Sequence, residues 1–282
     1  MNLNKFVVVI LMTLCYANTF AEETILNISR PTTSAYSIEW GHSSILDTYL
    51  SPMKYSGHTI SISGQWSKAM RQNPQKLIMT FDVSLIGDIN KNQVRNSSLY
   101  ALNFNFAWNM QYRWLPIHNL QLSAGGGTSL NAGALYLRRN SNNPVSAKAS
   151  VDLTLNAMAA YSFKIGRLPL RLIDQLSLPS LGLFFSPDYG QTYYEIYLGN
   201  HSGLIHCGWW GNHFRLNNLI ATDIMLGSIN LRVGYRLNMH ISYVNNINTQ
   251  IFRHSLVVGI VSDWLNITNN SSSQSVNIPS YF

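Results

Sequence analysis

The sequence predicts an all-β protein, a transmembrane up-and-down antiparallel β-barrel of about ten strands with both termini in the periplasm. Two observations point to this class. Residues 98–114 alternate apolar and polar side chains along their length, and the same alternation recurs down the chain. Hydrophobic residues make up 46% of the chain and charged residues 11%, against about 25% charged in soluble domains. Apolar residues dispersed by alternation are typical of strands with lipid on one side and a polar interior on the other.

The first element is a secretory signal peptide over residues 1–21. Lys5 supplies a basic head, residues 6–14 supply an apolar core too short to span a bilayer, and small residues up to Ala21 supply a cleavage site. Without this segment Cys207 is the only cysteine left. The sequence therefore predicts no intrachain disulfide.

A period of two predicts β-strands, because successive side chains point to opposite faces of the backbone. In the clearest segment one face carries rings such as Phe104 and the other carries amides such as Asn105. In the order of the chain, the ten candidate strands are residues 35–46, 59–66, 77–85, 98–114, 120–136, 151–164, 168–186, 213–226, 229–243 and 252–264. In the seventh, Asp174 interrupts the apolar face and Pro179 requires a bulge or a kink.

The connections between these segments predict the topology. Short turns alternate with longer polar links, and bacterial barrels place short turns in the periplasm and long loops outside. This arrangement requires an even number of strands. We expect a periplasmic lead at 22–34, the barrel at 35–265 and a flexible polar tail at 266–282. The glycine run 125–127 predicts a tightly curved wall, since no helix follows it as in a phosphate-binding loop.

The polar faces of the strands predict a charged lumen. The charged residues expected to point inward are Arg113, Lys164, Arg215, Arg232, Arg236, Arg253, Asp82, Asp152, Asp223 and Asp263. An unpaired buried ion is costly, so these charges should pair and fill the narrow interior of the barrel. Counting outward from the turn at 227–228 predicts an Asp223–Arg232 ion pair, with Arg236 meeting an acid or an amide from another wall.

Two segments resemble a known family. Residues 46–52 read LDTYLSP and are followed by YSG at 55–57, and residues 189–200 read YGQTYYEIYLGN. Together with the strand layout, they are similar to an uncharacterised bacterial family of outer-membrane barrels, domain of unknown function 3316, over about residues 35–265. The resemblance implies an outer-membrane barrel, and it implies no activity, ligand or catalytic residue.

Both segments fall in or beside predicted outer loops, the first and the fourth, which hold the candidates for contact with an external ligand. These candidates are Asp47, Tyr49, Tyr193, Tyr194, Glu195, Trp209 and Trp210. Their aromatic rings are suited to stacking on sugar rings, which makes a glycan or another surface ligand a candidate partner. The reading that we favour is an aromatic cluster that packs the loops against the barrel mouth, with the two tryptophans tucked in as an apolar lid.

An enzyme is the alternative class. His240 and Ser242 are two residues apart on one strand and share a face near the outer rim, as a general base and its nucleophile would. The alternation points them into the lumen, away from outer-leaflet lipid. We therefore favour an interior hydrogen-bond network over a lipid-acting hydrolase, and a narrow solute channel is the third hypothesis. His206, Cys207 and His213 in the fourth loop match no standard metal spacing, so we predict neither a metal nor a cofactor.

Localisation and partners follow from the class. We expect the cell outer membrane, with its lipids and the barrel assembly machinery as partners. That machinery would recognise an aromatic near the end of the chain, Trp264 or Phe282. A protease would need acidic and histidine side chains above the rim, and the presence in outer loops of Asp47, Asp88, Asp188, Glu195 and His201 is weak evidence for one. No basic run or stacking motif accompanies the net charge of +7, so nucleic acid is not an expected partner.

Overall fold

Ten long strands form the wall of a closed barrel in the computed structural model, which describes residues 28–141, 143–226, 229–264 and 276–277. In the order of the chain, they are β1 (Thr32–Asp47), β2 (Ser51–Ala69), β3 (Leu77–Asn92), β4 (Ser98–Ile117), β5 (Leu120–Leu137), β6 (Val145–Ile165), β7 (Leu168–Phe185), β8 (His213–Met225), β9 (Asn230–Val244) and β10 (Ile247–Trp264). Each strand pairs antiparallel with the next, and β10 pairs with β1, so the sheet closes on itself. The predicted class and the strand count are confirmed.

The strands are staggered, as closure of a barrel requires. Following directly paired residues once around the wall from Tyr136 on β5 leads back to Ala124 on the same strand, twelve residues away. The glycine run lies within β5. A Cβ at Gly125 or Gly127 would lie 2.0 Å from a carbonyl oxygen of β4, so the absence of a side chain permits this close approach.

Because apolar and polar residues alternate along each strand, the outer and inner surfaces of the wall carry different side chains. Large apolar side chains cover the exterior, among them Ile38 at 63% exposure, Leu102 at 58% and Val258 at 54%. Polar side chains of the same strands are buried inside, among them Glu39 and Arg232 at 2% each. A soluble protein buries its apolar face, so this inverted arrangement requires an apolar surrounding.

The two ends of the barrel differ. The connection between β7 and β8, residues 186–212, is the longest, and the end that carries it is called the upper end. It contains helix α1 (Tyr193–Tyr197) and a short strand, Ile205–Trp209, named the loop strand. The expected alternation of short turns at the lower end with long loops at the upper end holds only in part. The upper turn at 48–50 is short and the lower link at 70–76 is longer, because the strands extend beyond the segments that alternate clearly.

The pairing of β7 with β8 is interrupted halfway up the wall. The lower half of β7 pairs with β8 as far as Ser177 and Asn217, and its upper half pairs with the loop strand. A register shift beside Pro179 confirms the predicted irregularity. The indole N–H of Trp210 donates to the carbonyl oxygen of Pro179 (2.7 Å), which compensates for a broken ladder at this point.

Short pairings lie outside the wall. Ile28–Ser29 and Val276–Asn277 form a two-residue parallel pairing, so part of the segment predicted as a flexible tail is bonded to the lead. The predicted signal peptide and the other tail residues lie outside the described residues. No helix within the described ranges is long and apolar enough to cross a bilayer.

Candidate functional site

Within the described residues, five ion pairs that involve lysine or arginine lie in the lumen. They are Asp47–Lys148 (2.6 Å), Asp223–Arg232 (2.7 Å), Glu39–Arg236 (2.8 Å), Asp88–Arg253 (2.8 Å) and Asp152–Arg215 (3.2 Å). Each carboxylate side chain is 3% exposed or less. Asp47–Lys148 joins opposite walls of the barrel, and three of the other pairs join strands that have one or two strands between them. Gln65 and Gln175, on opposite walls, are hydrogen-bonded across the lumen as well (3.0 Å).

The Asp223–Arg232 pair, predicted from the turn, is present and doubly bonded. Nε of Arg232 donates to Oδ1 of Asp223 (2.7 Å), and Nη2 donates to Oδ2 (2.9 Å). The two residues are directly opposed on β8 and β9. Arg236, higher on β9, contacts Glu39 from β1 and Asn217 from β8, an acid and an amide.

The other charged residues expected in the lumen have mixed outcomes, and Asp82 lies there as predicted. Arg113 lies at the lower end and donates to the carbonyl oxygens of Pro74 and Gln75. Asp82 accepts from the amides of Gln65 and Asn109 (2.7 and 3.2 Å). Lys164 and Asp263 were expected in the lumen, but both are exposed.

Sequence reasoning missed three members of the network. Glu39 lies in the irregular first segment, where its inward position between Ser37 and Gly41 was the available signal. Asp88, expected in an outer loop, is buried in β3 and bonded to Arg253, because that strand extends to Asn92. Lys148 lies beyond the edge of the predicted sixth strand.

At the upper end, the two family-like segments meet over the barrel mouth. The hydroxyl of Tyr49, in the β1–β2 turn, donates to the carbonyl oxygen of Gln191 (2.7 Å) in the β7–β8 connection. The ring of Tyr49 contacts the ring of Tyr193 edge to face at 6.0 Å. The hydroxyl oxygen of Tyr193 accepts from the N–H of Ala147 (2.6 Å). We call this assembly, residues 48–50 with 186–200, the cap.

Asp47 anchors the cap. Its carboxylate pairs with Lys148 and accepts from the Ser146 and Thr249 hydroxyls (3.1 and 3.4 Å) and from the N–H of Tyr49 (3.0 Å). Asp47 is the last residue of β1 and is 2% exposed. Asp47 therefore joins the β1–β2 turn to strands β6 and β10. The expectation that it contacts an external ligand directly is wrong, because its side chain is buried.

Both tyrosines of the cap are held in the neutral form. Burial, followed by the neighbouring Tyr193, Asp47 and Glu195, raises the pKa of Tyr49 to about 12. Burial also raises the pKa of Tyr193. Neutral phenols keep their hydrogens for hydrogen bonding, so these contacts persist across the physiological pH range.

The other aromatic candidates are not packed into the cap. Tyr194 on α1 is 68% exposed, and Glu195 completes a capping box with Thr192 at the start of that helix. Trp209 and Trp210 are 59% and 51% exposed. The expected tucked lid of two tryptophans is therefore wrong, because Trp209 lies on the outward face of the loop strand and Trp210 is bonded to β7.

His240 and Ser242 share the inner face of β9, and no hydrogen bond joins them in the described part of the chain. His213, expected in the loop, is the first residue of β8, and its ring lies 4.9 Å from that of His240. His213 is directly opposite Ser242, and Arg215 is directly opposite His240. They line a lumenal cavity of about 190 Å³.

The architecture defines a class: this is a closed ten-stranded β-barrel of the outer-membrane type. A family model described as "Protein of unknown function (DUF3316)" matches residues 6–271, and the chain belongs to that family. No curated protein matches it.

Among solved structures the chain is similar to the outer membrane protease OmpT from Escherichia coli at 7% identity, covering 86% of this chain and 100% of that chain with a TM-score of 0.48. The transport unit of the autotransporter AIDA-I from Escherichia coli is 8% identical, with 90% and 96% covered and a TM-score of 0.46. The beta domain of the Bordetella autotransporter BrkA is 6% identical, with 83% and 100% covered and a TM-score of 0.41.

Proposed function

We propose that the protein is an integral outer-membrane β-barrel that acts at the cell surface through a rigid cap, not by catalysis or by conducting solutes. One observation carries this proposal: the two family-like segments are joined over the barrel mouth by the Tyr49–Gln191 hydrogen bond and the contact between the rings of Tyr49 and Tyr193. These contacts between loops, together with the hydrogen bond from the Tyr49 N–H to the buried carboxylate of Asp47, fix the shape of the cap. A fixed surface binds with a smaller loss of conformational entropy than a mobile loop.

The apolar exterior supports insertion in a membrane. Ile38, Leu102 and Val258 are each more than half exposed in the wall, and a lipid environment removes the cost of exposing them to water. The ion pairs below the cap argue against a channel, because they lie in the lumen and join strands of its wall. We place the upper end outside the cell, since bacterial barrels carry their longest connections there.

The ligand class that fits the cap is a glycan. Tyr194 and Tyr197 lie three residues apart on α1 and are 68% and 83% exposed. Rings at this spacing lie on one side of a helix, and each offers an apolar face with a polar tip. Sugar rings present the complementary surface of C–H groups and hydroxyls.

Cysteine labelling on intact cells tests the orientation on which the proposal depends. In a Cys207→Ser background, Tyr197→Cys on α1 should react with a membrane-impermeant maleimide. Arg167→Cys is the matched control, because Arg167 is exposed in the lower turn between β6 and β7. It should react only after the outer membrane is permeabilised. The reverse pattern would place the cap in the periplasm and overturn the proposal.

A further inference from the structure

Four side chains around the upper lumen have buried polar atoms that lack hydrogen-bond partners. They are Nδ1 and Nε2 of His213, Nε2 of His240, Nε of Arg215 and Oγ of Ser129, each unpartnered among the described residues. All four side chains line the cavity of about 190 Å³. Buried polar atoms are seldom left unpaired, so several around one cavity indicate that something with polar atoms belongs there.

The four groups form one cluster. The rings of His213 and His240 are edge to face at 4.9 Å, and Arg215 is directly opposite His240 on the neighbouring strand. Nη1 of Arg215 is bonded to Asp152 (3.2 Å), and Asp152 is directly opposite Ser129. His213 is itself stacked on a ring of β7, Phe184, at 4.4 Å, so its position is fixed.

The unpartnered donors of the cluster require hydrogen-bond acceptors. Nε of Arg215 can only donate, each imidazole offers an N–H, and the Ser129 hydroxyl can donate too. The nearest carboxylate is already occupied: Oδ2 of Asp152 accepts from Ser150 (2.8 Å) and from Arg215. Its Oδ1 lies 3.6 Å from Nε2 of His213, beyond hydrogen-bond distance. A metal cation cannot satisfy a guanidinium N–H, whereas an oxygen ligand can.

The charge that faces the cavity selects the kind of oxygen ligand. The cations that line the cavity near the cluster are Lys148, Arg215 and Arg253, and each is paired with a buried carboxylate, that of Asp47, Asp152 or Asp88. None of these three carboxylates is among the lining residues, so their cationic partners face the cavity. A guanidinium has more N–H groups than one carboxylate accepts, and its remaining N–H groups bind a charged oxygen more strongly than a neutral one.

We infer that this cavity is a binding site for a small oxyanion, a carboxylate or a phosphate, beneath the cap. Arg215, Ser129 and the two imidazoles donate to its oxygens. Charge-assisted hydrogen bonds of this kind are the stronger ones in proteins, and they would satisfy every unpartnered donor of the cluster. This site is separate from the external surface of the cap, so its test is independent of the proposed function.

The test uses the full mature barrel refolded in detergent, with its histidine imidazoles labelled with ¹⁵N. Sodium phosphate and sodium acetate are the probes, each present during refolding so that access through the cap does not limit binding. We expect a saturable shift of two imidazole resonances, assigned to His213 and His240 by His213→Gln and His240→Gln variants. Sodium chloride at equal ionic strength, and glycerol as a neutral oxygen ligand, should leave both resonances in place.

A pair of serine variants on β5 makes the test specific. Ser129→Ala removes one donor from the cluster and should weaken the binding of the effective probe about tenfold, the usual effect of losing a hydrogen bond to a charged group. Ser123→Ala is the control, since Ser123 faces the lumen on the same strand but donates to Gln111 (2.9 Å). Absence of a saturable shift, an equal shift with glycerol, or equal weakening by both variants would overturn the oxyanion site.

Discussion

Asp223 and Arg232 show how single side chains hold the interior of the barrel. Arg232 is 2% exposed, and its guanidinium donates twice to the carboxylate of Asp223. Asp223→Asn removes the opposing charge and leaves the cation buried. We expect a loss of about 3–5 kcal/mol in the free energy of unfolding, measured by urea titration of the barrel in lipid vesicles.

The matched control removes both charges. A variant with Asp223→Leu and Arg232→Met keeps the volume apolar, and it should recover most of the lost stability because no ion is left without its partner. If the double variant is no more stable than Asp223→Asn, the loss does not arise from an uncompensated charge. A single variant as stable as the wild type would contradict the prediction directly.

Among individual side-chain contacts, those between consecutive strands could be predicted from the sequence. The Asp223–Arg232 pair follows from counting across one tight turn, because the two strands are consecutive. Glu39 lies 197 residues from Arg236 in the chain, and no sequence pattern specifies a contact between strands whose neighbours are set by closure of the wall. The same reason explains why Lys148 could not be matched with Asp47.

Helix α1 is the element most exposed to a ligand. Replacing both Tyr194 and Tyr197 with Ala should weaken binding of the purified barrel to polysaccharide released from the surface of the host cells. We expect a loss of about tenfold, since stacked rings contribute on the order of 1 kcal/mol beyond the area that they bury. Isothermal titration calorimetry measures the change. Because neither side chain is buried, the fold should be unaffected.

The control for the α1 variant replaces two tyrosines on the outer wall of the barrel. Tyr235 and Tyr243 are exposed on the outside of β9, at 42% and 60%. Replacing both with Ala removes the same number of rings from a surface that faces lipid, so binding should be unchanged. Equal losses from the two double variants, or no binding by the wild type, would exclude a glycan site on α1.

The irregular elements were the least predictable. Pro179 signalled a bulge, since it cannot donate to a ladder. The loop strand was missed, because Ile205–Trp209 is too short for alternation to be detected. Asp47 was assigned to a loop for the related reason that β1 and β2 extend to a turn of three residues, which the composition of that segment does not indicate.

The molecule as a whole should be a poor conductor of ions. In planar bilayers we expect wild-type conductance close to that of the bare membrane, because Gln65–Gln175 and Asp47–Lys148 join opposite walls and further ion pairs project between strands that are not neighbours. Replacing both Glu39 and Arg236 with Ala removes one of these pairs without leaving a lone charge, and it should raise conductance measurably. Ile38→Ala, on the outer face beside Glu39, should not. A large wild-type conductance would contradict a sealed lumen.

Fold class and strand count were predictable because two-residue periodicity survives wherever one face meets lipid. The stagger of the strands was not predictable, because the sequence of one strand does not specify how the first and last strands of the barrel align.

The stagger means that residues side by side in the sheet need not share a depth in the membrane. A line of directly paired residues descends as a spiral, and on its course from Tyr136 to Ala124 it passes His58, His42 and His254 on three adjacent strands. All three imidazoles are exposed on the outside. Each therefore lies at a different height on the barrel wall, although they are immediate neighbours in the sheet.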